Sequence, residues 1–239
     1  MEALLDLVDA AWAEILGCSV SLLQTPGVHL VPGGRKVGAY RAVYMARLGD
    51  SVLVYAPPSH EEAVRQVLFA APPEGVFSPE SCLKIAGPDG QVVLGPYWHG
   101  FVDAAHFRAS EGAGERVEPD DPGLAELRQT CGEQEWSEAG FGQPGELVYG
   151  LRLGGLIVAA GTMVDYRGMP ADVGVITHPR FRGRGLARRL TSRMTEEQLP
   201  VVGVVRYTAH QTNLPSLAVA RSLGFIGRGE NIAIHLKPV

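Results

Sequence analysis

The stretch Ile176-Thr-His-Pro-Arg-Phe-Arg-Gly-Arg-Gly-Leu-Ala-Arg-Arg-Leu190 decides how this chain is read. It continues an apolar run, Val173-Gly-Val-Ile-Thr177, that fits a strand. A Pro and a loop of Arg and Gly follow. Then comes an amphipathic helix with Leu186, Leu190 and Met194 on one face, at i, i+4 and i+8. Strand, glycine-rich turn and helix start make an anion cradle: backbone N–H groups there lack intrahelical acceptors, and the helix dipole presents its positive end. Gly183 and Gly185 allow the backbone to approach a phosphate or pyrophosphate where a Cβ would intrude.

Downstream, residues 201–208 read as a further strand and 213–223 as a helix ended by Gly224. Residues 225–235 supply one or two last strands. Upstream, 146–153 and 156–164 flank a Gly154-Gly155 turn and form a hairpin, with a second turn at 167–170. Asp121 and Pro122 suit the N-cap and first position of a helix to about residue 129. A short acidic helix at 133–138 carries Trp136. The order helix, β, β, β, α, β, α, β predicts a mixed α/β layer on one sheet.

The first half is patterned differently. Residues 3–16 place Leu4, Leu5, Val8, Trp12 and Ile15 at helical spacing, with Gly17 as the stop. Loops carry Pro26-Gly27 and Pro32-Gly-Gly34. Residues 38–47 and 51–55 read as a hairpin about Gly49-Asp50. Ser59-His-Glu-Glu62 has the form of a capping box, opening a helix to about Ala71 that Pro72-Pro73 ends. Strand signals follow at 82–85 and 91–94, and 95–101 reads as an aromatic loop. Residues 111–123 are rich in Gly, Pro and acids. The expected domains are therefore 1–110, a linker at 111–122, and 123–239.

Bulk properties exclude several classes. Hydrophobic content of 46% and charged content of 20% are those of a globular chain. A net charge of -5 argues against nucleic acid as partner. No apolar run reaches membrane-spanning length, and the first residues lack a basic segment ahead of an apolar one. Cys18, Cys82 and Cys131 have no metal-ligand spacing, so no metal site is expected, and scattered thiols suit a reducing, cytoplasmic setting.

Two motifs in order resemble the GNAT-type N-acetyltransferases. Arg182-Gly-Arg-Gly185-Leu-Ala187 is similar to that family's pyrophosphate loop, Gln/Arg-x-x-Gly-x-Gly/Ala. Arg180-Phe-Arg-Gly183-Arg-Gly185 fits the pattern too; the later register puts Pro179 and Phe181 where the family keeps a Pro and an aromatic. Asn213-Leu-Pro-Ser216, followed by Leu223-Gly-Phe225, resembles the family's Asn-x-x-Ser/Ala helix. The resemblance covers about residue 118 to the C-terminus. It implies a mixed, mostly antiparallel central sheet flanked by helices, with a smaller N-terminal α/β domain. That domain is either a degenerate copy of the same fold or an unrelated cap. It also implies acetyl-CoA as cosubstrate. Val175, Ile176 and Thr177 would pair with the pantetheine arm. Residues Arg182, Gly183, Arg184, Gly185, Leu186 and Ala187 would hold the pyrophosphate, with Asn213 and Ser216 contributing from the next helix.

The implied chemistry is direct attack of an amine on the thioester. An alkylammonium near pKa 10.4 must first lose a proton. Asp172 is the candidate base, with His210 as another. The family's usual general acid, a Tyr seven residues after the Asn, is Ala220 here, and Tyr207 is the candidate substitute. Partners are then acetyl-CoA and a primary amine of a small molecule or protein; the oligomeric state stays open, a homodimer among the options. The alternative is a non-catalytic acyl-CoA-binding sensor or scaffold, motivated by Ala220 and the lack of a strong carboxylate base.

Overall fold

The computed structural model describes residues 1–33, 37, 41–70, 73–164 and 171–237; at 69, 70, 73 and 74 only the backbone is considered. Gly34, the expected strand start at 38–40, Pro72 and the expected turn at 167–170 lie outside these residues. In chain order come α1 (Glu2–Leu16), α2 (Val20–Leu23), β1 (Gly27–Leu30), β2 (Ala42–Leu48), β3 (Ser51–Tyr55), α3 (Glu61–Ala70), α4 (Pro73–Val76), α5 (Pro79–Ala86) and β4 (Gly90–Asp103). There follow β5 (Glu115–Arg116), α6 (Pro122–Cys131), α7 (Glu133–Glu138), β6 (Leu147–Leu153), β7 (Leu156–Val164), β8 (Ala171–Thr177), α8 (Leu186–Val202), β9 (Val204–His210), α9 (Leu214–Ser222) and β10 (Ile226–Leu236). Two compact units result. The N-terminal one takes residues 1–99, 209–213 and 227–239; the C-terminal one takes 100–208 and 214–226.

In the N-terminal unit the strands run in the order β1-β3-β2-β10-β4. β1 is parallel to β3, and β2 is antiparallel to both β3 and β10. Val43, Met45, Val54, Val64, Cys82, Ile85, Ile232 and Ile234 form its core with α3 and α5. Helix α1 stops at Gly17, whose φ of 68° a residue with a Cβ adopts at a cost. It docks Trp12 beside Gly229, where a Cβ would come within 2.9 Å of the indole. Trp12 Nε1 donates to Arg228 O at 3.0 Å, and buried Asp9 accepts twice from the Arg228 guanidinium, both at 2.6 Å. The apolar stripe of α1 is thus fastened to β10 by one hydrogen bond and one bidentate ion pair.

The C-terminal unit orders its strands β9-β8-β7-β6-β5. The β5–β6, β6–β7 and β7–β8 pairs are antiparallel, and β8–β9 is parallel. α6 and α7 cover one face through Leu127, Phe141, Ile157, Ala160 and Ile176. α8 covers the other. There Gly161 leaves room for Met194, whose sulfur would sit 2.5 Å from an added Cβ. Asp121 caps α6 by accepting from Gly123 N–H at 2.8 Å, as its position before Pro122 predicts. This is the mixed, mostly antiparallel α/β architecture expected of the C-terminal half.

Several expectations need correction. Residues 82–85 are not a strand; they lie in α5, where Cys82, Ile85 and Ala86 face the core at helical spacing. Ser78 caps that helix by accepting from Ser81 N–H at 3.1 Å, with Pro79 at its first position. The box at residues 59–62 does not cap α3, because Ser59 sits in a 3-10 turn with its hydroxyl 2.9 Å from His60 Nδ1. Pro73 opens α4 rather than only ending α3. The aromatic segment 95–101 is strand, part of β4, not loop. Gly95 lets it pass β10 closely, since a Cβ there would lie 2.6 Å from Asn231 O. The stretch 111–122 contains β5 and is bonded through Ala113 N–H to Arg189 O and Val117 N–H to Val148 O, at 3.2 and 3.0 Å.

Cys82 is fully buried, and burial pushes its thiol up to about 12. Only the thiolate reacts with a disulfide reagent. In the native protein at pH 8, Cys82 is therefore expected to stay unlabelled by a thiol-exchange dye until denaturant is added, while partly exposed Cys18 and Cys131 react slowly. Mass spectrometry of the labelled peptides, with and without denaturant, checks this.

Candidate functional site

The parallel ladder between β8 and β9 runs Ala171↔Val205, Asp172↔Arg206 and Val173↔Tyr207. β8 continues four residues past the last pair, still laddered to β7 on its other side through Gly161↔Val175, Ala160↔Ile176 and Ala159↔Thr177. The edge of β8 that faced β9 is thus released just where Val175, Ile176 and Thr177 stand. Backbone N–H and C=O groups on such an edge seek partners. On the helix-covered face, the last turn of α7 lies hard against this point: a Cβ at Gly174 would be 1.7 Å from Ala139 O. Ile176 points into the α6–α7 core and is 5% exposed.

The loop that follows is held from within. His178 N–H donates to Val158 O at 2.9 Å, extending the β7 pairing. Its Nδ1 accepts from Arg180 N–H at 3.2 Å, and its ring meets Phe181 edge-on at 5.3 Å. His178 is buried and spent on loop geometry. Arg182 is extended, and Gly183 and Gly185 have φ of 75° and 73°. No atom lies within 4 Å of a Cβ built on either glycine. Both are required by the backbone turn, and both leave the loop open to approach from outside. Gly185 is the N-cap of α8, and no side chain caps it. The N–H groups that begin a 17-residue helix are therefore presented without a side-chain acceptor. This geometry fits a diphosphate.

Arginines meet the expectation in part. Arg184 is exposed beside the loop, with its guanidinium carbon 5.1 Å from the Phe181 ring centre. Arg182 is engaged elsewhere: its Nε donates to Thr177 O at 3.1 Å and its Nη2 pairs with Glu135 on α7. Both partners of that pair are nearly half exposed. An exposed pair of this kind contributes about 1 kcal/mol or less, so an arriving anion can displace it.

Asp172 does not stand alone. Its Oδ2 accepts from Arg206 Nη2 at 2.9 Å, and its Oδ1 from Thr208 Oγ1 at 3.1 Å. Arg206 is 4% exposed. A buried guanidinium needs charged or polar partners nearby, and Asp172 is one of them. Arg206 and Thr208 escaped the sequence reading, although one signal was present: an Arg inside the apolar run Val201-Val-Gly-Val-Val-Arg-Tyr207. On the opposite face, Tyr207 is 1% exposed, and its Oη lies 2.9 Å from Ser216 Oγ on α9. Burial pushes the phenol up to about 12, against the smaller opposite pull of the Ser216 hydrogen bond. A buried phenol of this kind stays protonated near neutrality.

Asp172, Tyr207 and Ser216 thus meet around one short ladder in the C-terminal unit. His210 and Asn213 belong to the N-terminal unit. His210 Nδ1 is 2.7 Å from Thr212 Oγ1, and its ring meets Tyr97 edge-on at 5.6 Å. Asn213 N–H donates to His210 O at 2.8 Å, immediately before α9. Among the described residues no group of three His, Cys, Asp or Glu side chains could hold a metal.

The glycines separate two kinds of constraint. Gly174→Ala is expected to lower stability by about 3 kcal/mol or more, because α7 must move off β8. Gly183→Ala is expected to cost only about 1–2 kcal/mol, the strain of a positive φ in open space. Urea unfolding of both variants measures the contrast; equal losses would contradict it.

Comparison with known proteins agrees with this geometry. Residues 115–225 match the family model described as acetyltransferase (GNAT) family. No curated protein matches the sequence. Among solved structures, the chain is similar to an acetyltransferase of the GNAT family from Colwellia psychrerythraea, at 13% identity over 77% of this chain and 76% of that one, with a TM-score of 0.52. It is also similar to a putative GNAT-family acetyltransferase from Novosphingobium aromaticivorans DSM 12444, at 18% identity over 87% and 84%, with a TM-score of 0.50. At these identities the two structures speak for the fold alone. Together with the released β8 edge and the open glycine turn, the match places residues 115–225, from β5 through α9, in the acetyltransferase (GNAT) family.

Proposed function

We propose that the protein is an acetyl-CoA-dependent N-acetyltransferase that acylates a primary amine by direct attack. The carrying observation is the uncapped start of α8, opened by Gly183 and Gly185 and set directly after the released edge of β8. Val175, Ile176 and Thr177 would offer backbone groups to the pantetheine amides. The N–H groups from Arg182 to Ala187, with the side chain of Arg184, would take the diphosphate. Arg182 would join them by leaving Glu135. Asn213 and Ser216 would flank the arm from the start of α9. Bound there, acetyl-CoA supplies an activated acyl group; the chain supplies orientation and charge.

Asp172 would stand beside the end of the β8–β9 ladder. Arg206 and Thr208 hold it as an acceptor, which suits drawing in a cationic amine and passing its proton on through water. His210 is the second proton acceptor to compare. The free cysteines, and the lack of any helix among the described residues long and apolar enough to cross a membrane, support a cytoplasmic setting. A second reading, a non-catalytic acyl-CoA-binding module, is favoured by the same Asp172–Arg206 pair, which occupies the carboxylate, and by fully buried Ala220.

Gly185→Asp is expected to remove CoA binding, measured by calorimetry, with the fold intact: Asp tolerates positive φ better than most residues, and the site is open. Undiminished affinity would refute the loop assignment. A thiol-release screen of the wild type with acetyl-CoA over pools of primary amines separates the two readings. Release with some amine supports the enzyme; silence across broad pools, with CoA bound, supports the module.

A further inference from the structure

Resting on the acetyltransferase reading above, we infer that Glu146 is a specificity-determining residue: it holds a second, distal ammonium, and the acceptor is an α,ω-diamine. Sheet register places the groups concerned. Val148 pairs with Thr162, and Thr162 with Gly174; one step further out, Val164 pairs with Asp172. Residues opposed in a ladder, and residues two apart along a strand, share a face. Thr162, Gly174, Val164 and Asp172 therefore lie on the α6–α7 face, to which Ile176 also belongs. Leu147 pairs with Met163, so Glu146 comes next to Val164. Its carboxylate stands on the same face, because Thr162 Oγ1 donates to Glu146 Oε2 at 3.2 Å.

The row Glu146, Val164, Asp172 forms a shelf. In the row behind it Val148 and Thr162 are buried, and the Ala139 carbonyl at the end of α7 closes over Gly174. Glu146, Val164 and Asp172 lie beyond that cover, and all three are partly exposed. The two acidic residues are two strand spacings apart, about 10 Å between backbones, with a valine between them. Carboxylate, apolar side chain, carboxylate is the complement of a methylene chain with an amine at each end.

The two carboxylates are held differently. Asp172 shares its charge with the Arg206 guanidinium. Glu146 is held by uncharged donors: besides Thr162, Gly142 N–H reaches its two oxygens at 3.0 and 2.9 Å, and Gln143 N–H reaches Oε2 at 3.2 Å. These groups fix the carboxylate without cancelling its charge. Among the described residues Oε1 accepts from Gly142 N–H alone, which leaves it a lone pair for an ammonium. On the proposed reading the pantetheine arm follows β8 down from the glycine loop, so the acyl end falls toward Val173 and Asp172. One amine of the acceptor reacts there. Its nitrogen loses a proton to water, bonds to the acyl carbon and loses a second proton; the carbon–sulfur bond breaks and sulfur keeps the electron pair. The other amine remains an ammonium throughout, on Glu146.

Thiol release from acetyl-CoA by the full-length protein gives kcat/KM for three acceptors of similar length: cadaverine, pentylamine and δ-aminovalerate. The wild type is expected to rank them in that order. Its preference for cadaverine over pentylamine is expected to be about tenfold, the scale of one hydrogen bond between charged groups, and to shrink as salt is added. Glu146→Gln keeps an acceptor oxygen for the loop N–H groups and removes the charge. In this variant the cadaverine-to-pentylamine ratio is expected to fall about tenfold, and the δ-aminovalerate-to-pentylamine ratio to rise. A role confined to loop geometry moves neither ratio. A wild type that does not distinguish cadaverine from pentylamine overturns the inference alone, as do ratios that Glu146→Gln leaves unmoved. Release with none of the three, although calorimetry shows CoA bound, also overturns it. No CoA binding by the wild type overturns the acetyl-CoA reading and the inference with it. Should Glu146→Gln fail to fold, the wild-type ranking and its salt dependence decide.

Discussion

Among the described residues, three pairs of parallel ladder, ending at Val173↔Tyr207, govern the C-terminal unit. They hold β8 and β9 in one sheet, and beyond their end the β9-facing edge of β8 is released. Had the ladder run to Thr177, those groups would be paired within the protein and unavailable to a ligand. Gly174 marks the change. It has no Cβ because the Ala139 carbonyl occupies that space, so α7 is clamped to β8 one residue after the last pair. The fold is thus tightest immediately beside the place where it is open.

The same three pairs sort the polar groups onto opposite faces. Asp172 and Arg206 share one face and neutralise each other; Tyr207 emerges on the other and meets Ser216. Removing Asp172 would take a charged partner from buried Arg206, which is destabilising. Asp172 therefore has a structural duty whatever else it does. Any chemistry assigned to it has to be compatible with two donors already in place.

Much of this was legible in the residues. Gly183, Gly185 and the stripe Leu186, Leu190, Met194 specify a turn and a helix by local rules alone, and the hairpin about Gly154-Gly155 does likewise. Local rules also explain the failures. Cys82-Leu-Lys-Ile85 is too short to distinguish two periods, and the signal that decides it, Ser78-Pro79, stands outside the run. The Arg206–Asp172 pair depends on register between strands 34 residues apart, which no spacing discloses. The aromatic segment 95–101 looks like a loop because its glycines resemble turn residues; in β4, Gly95 instead makes room for a neighbouring strand. His210 and Asn213 read as part of one site by their place in the chain, while compactness groups them with the N-terminal unit.

β10 has a consequence for how the molecule is made. It lies between β2 and β4 in the N-terminal unit, and it carries the Arg228 and Gly229 to which Asp9 and Trp12 of α1 are fastened. These partners are 219 residues apart in sequence. A ribosome delivers β2 and β4 long before it delivers the strand that joins them. During that interval the nascent N-terminal half has an unsatisfied sheet interior and an undocked Trp12, a surface suited to chaperones. Residues 100–208 emerge in the meantime, already holding most of their own unit. The strand that closes the N-terminal sheet is therefore made only after most of the C-terminal unit.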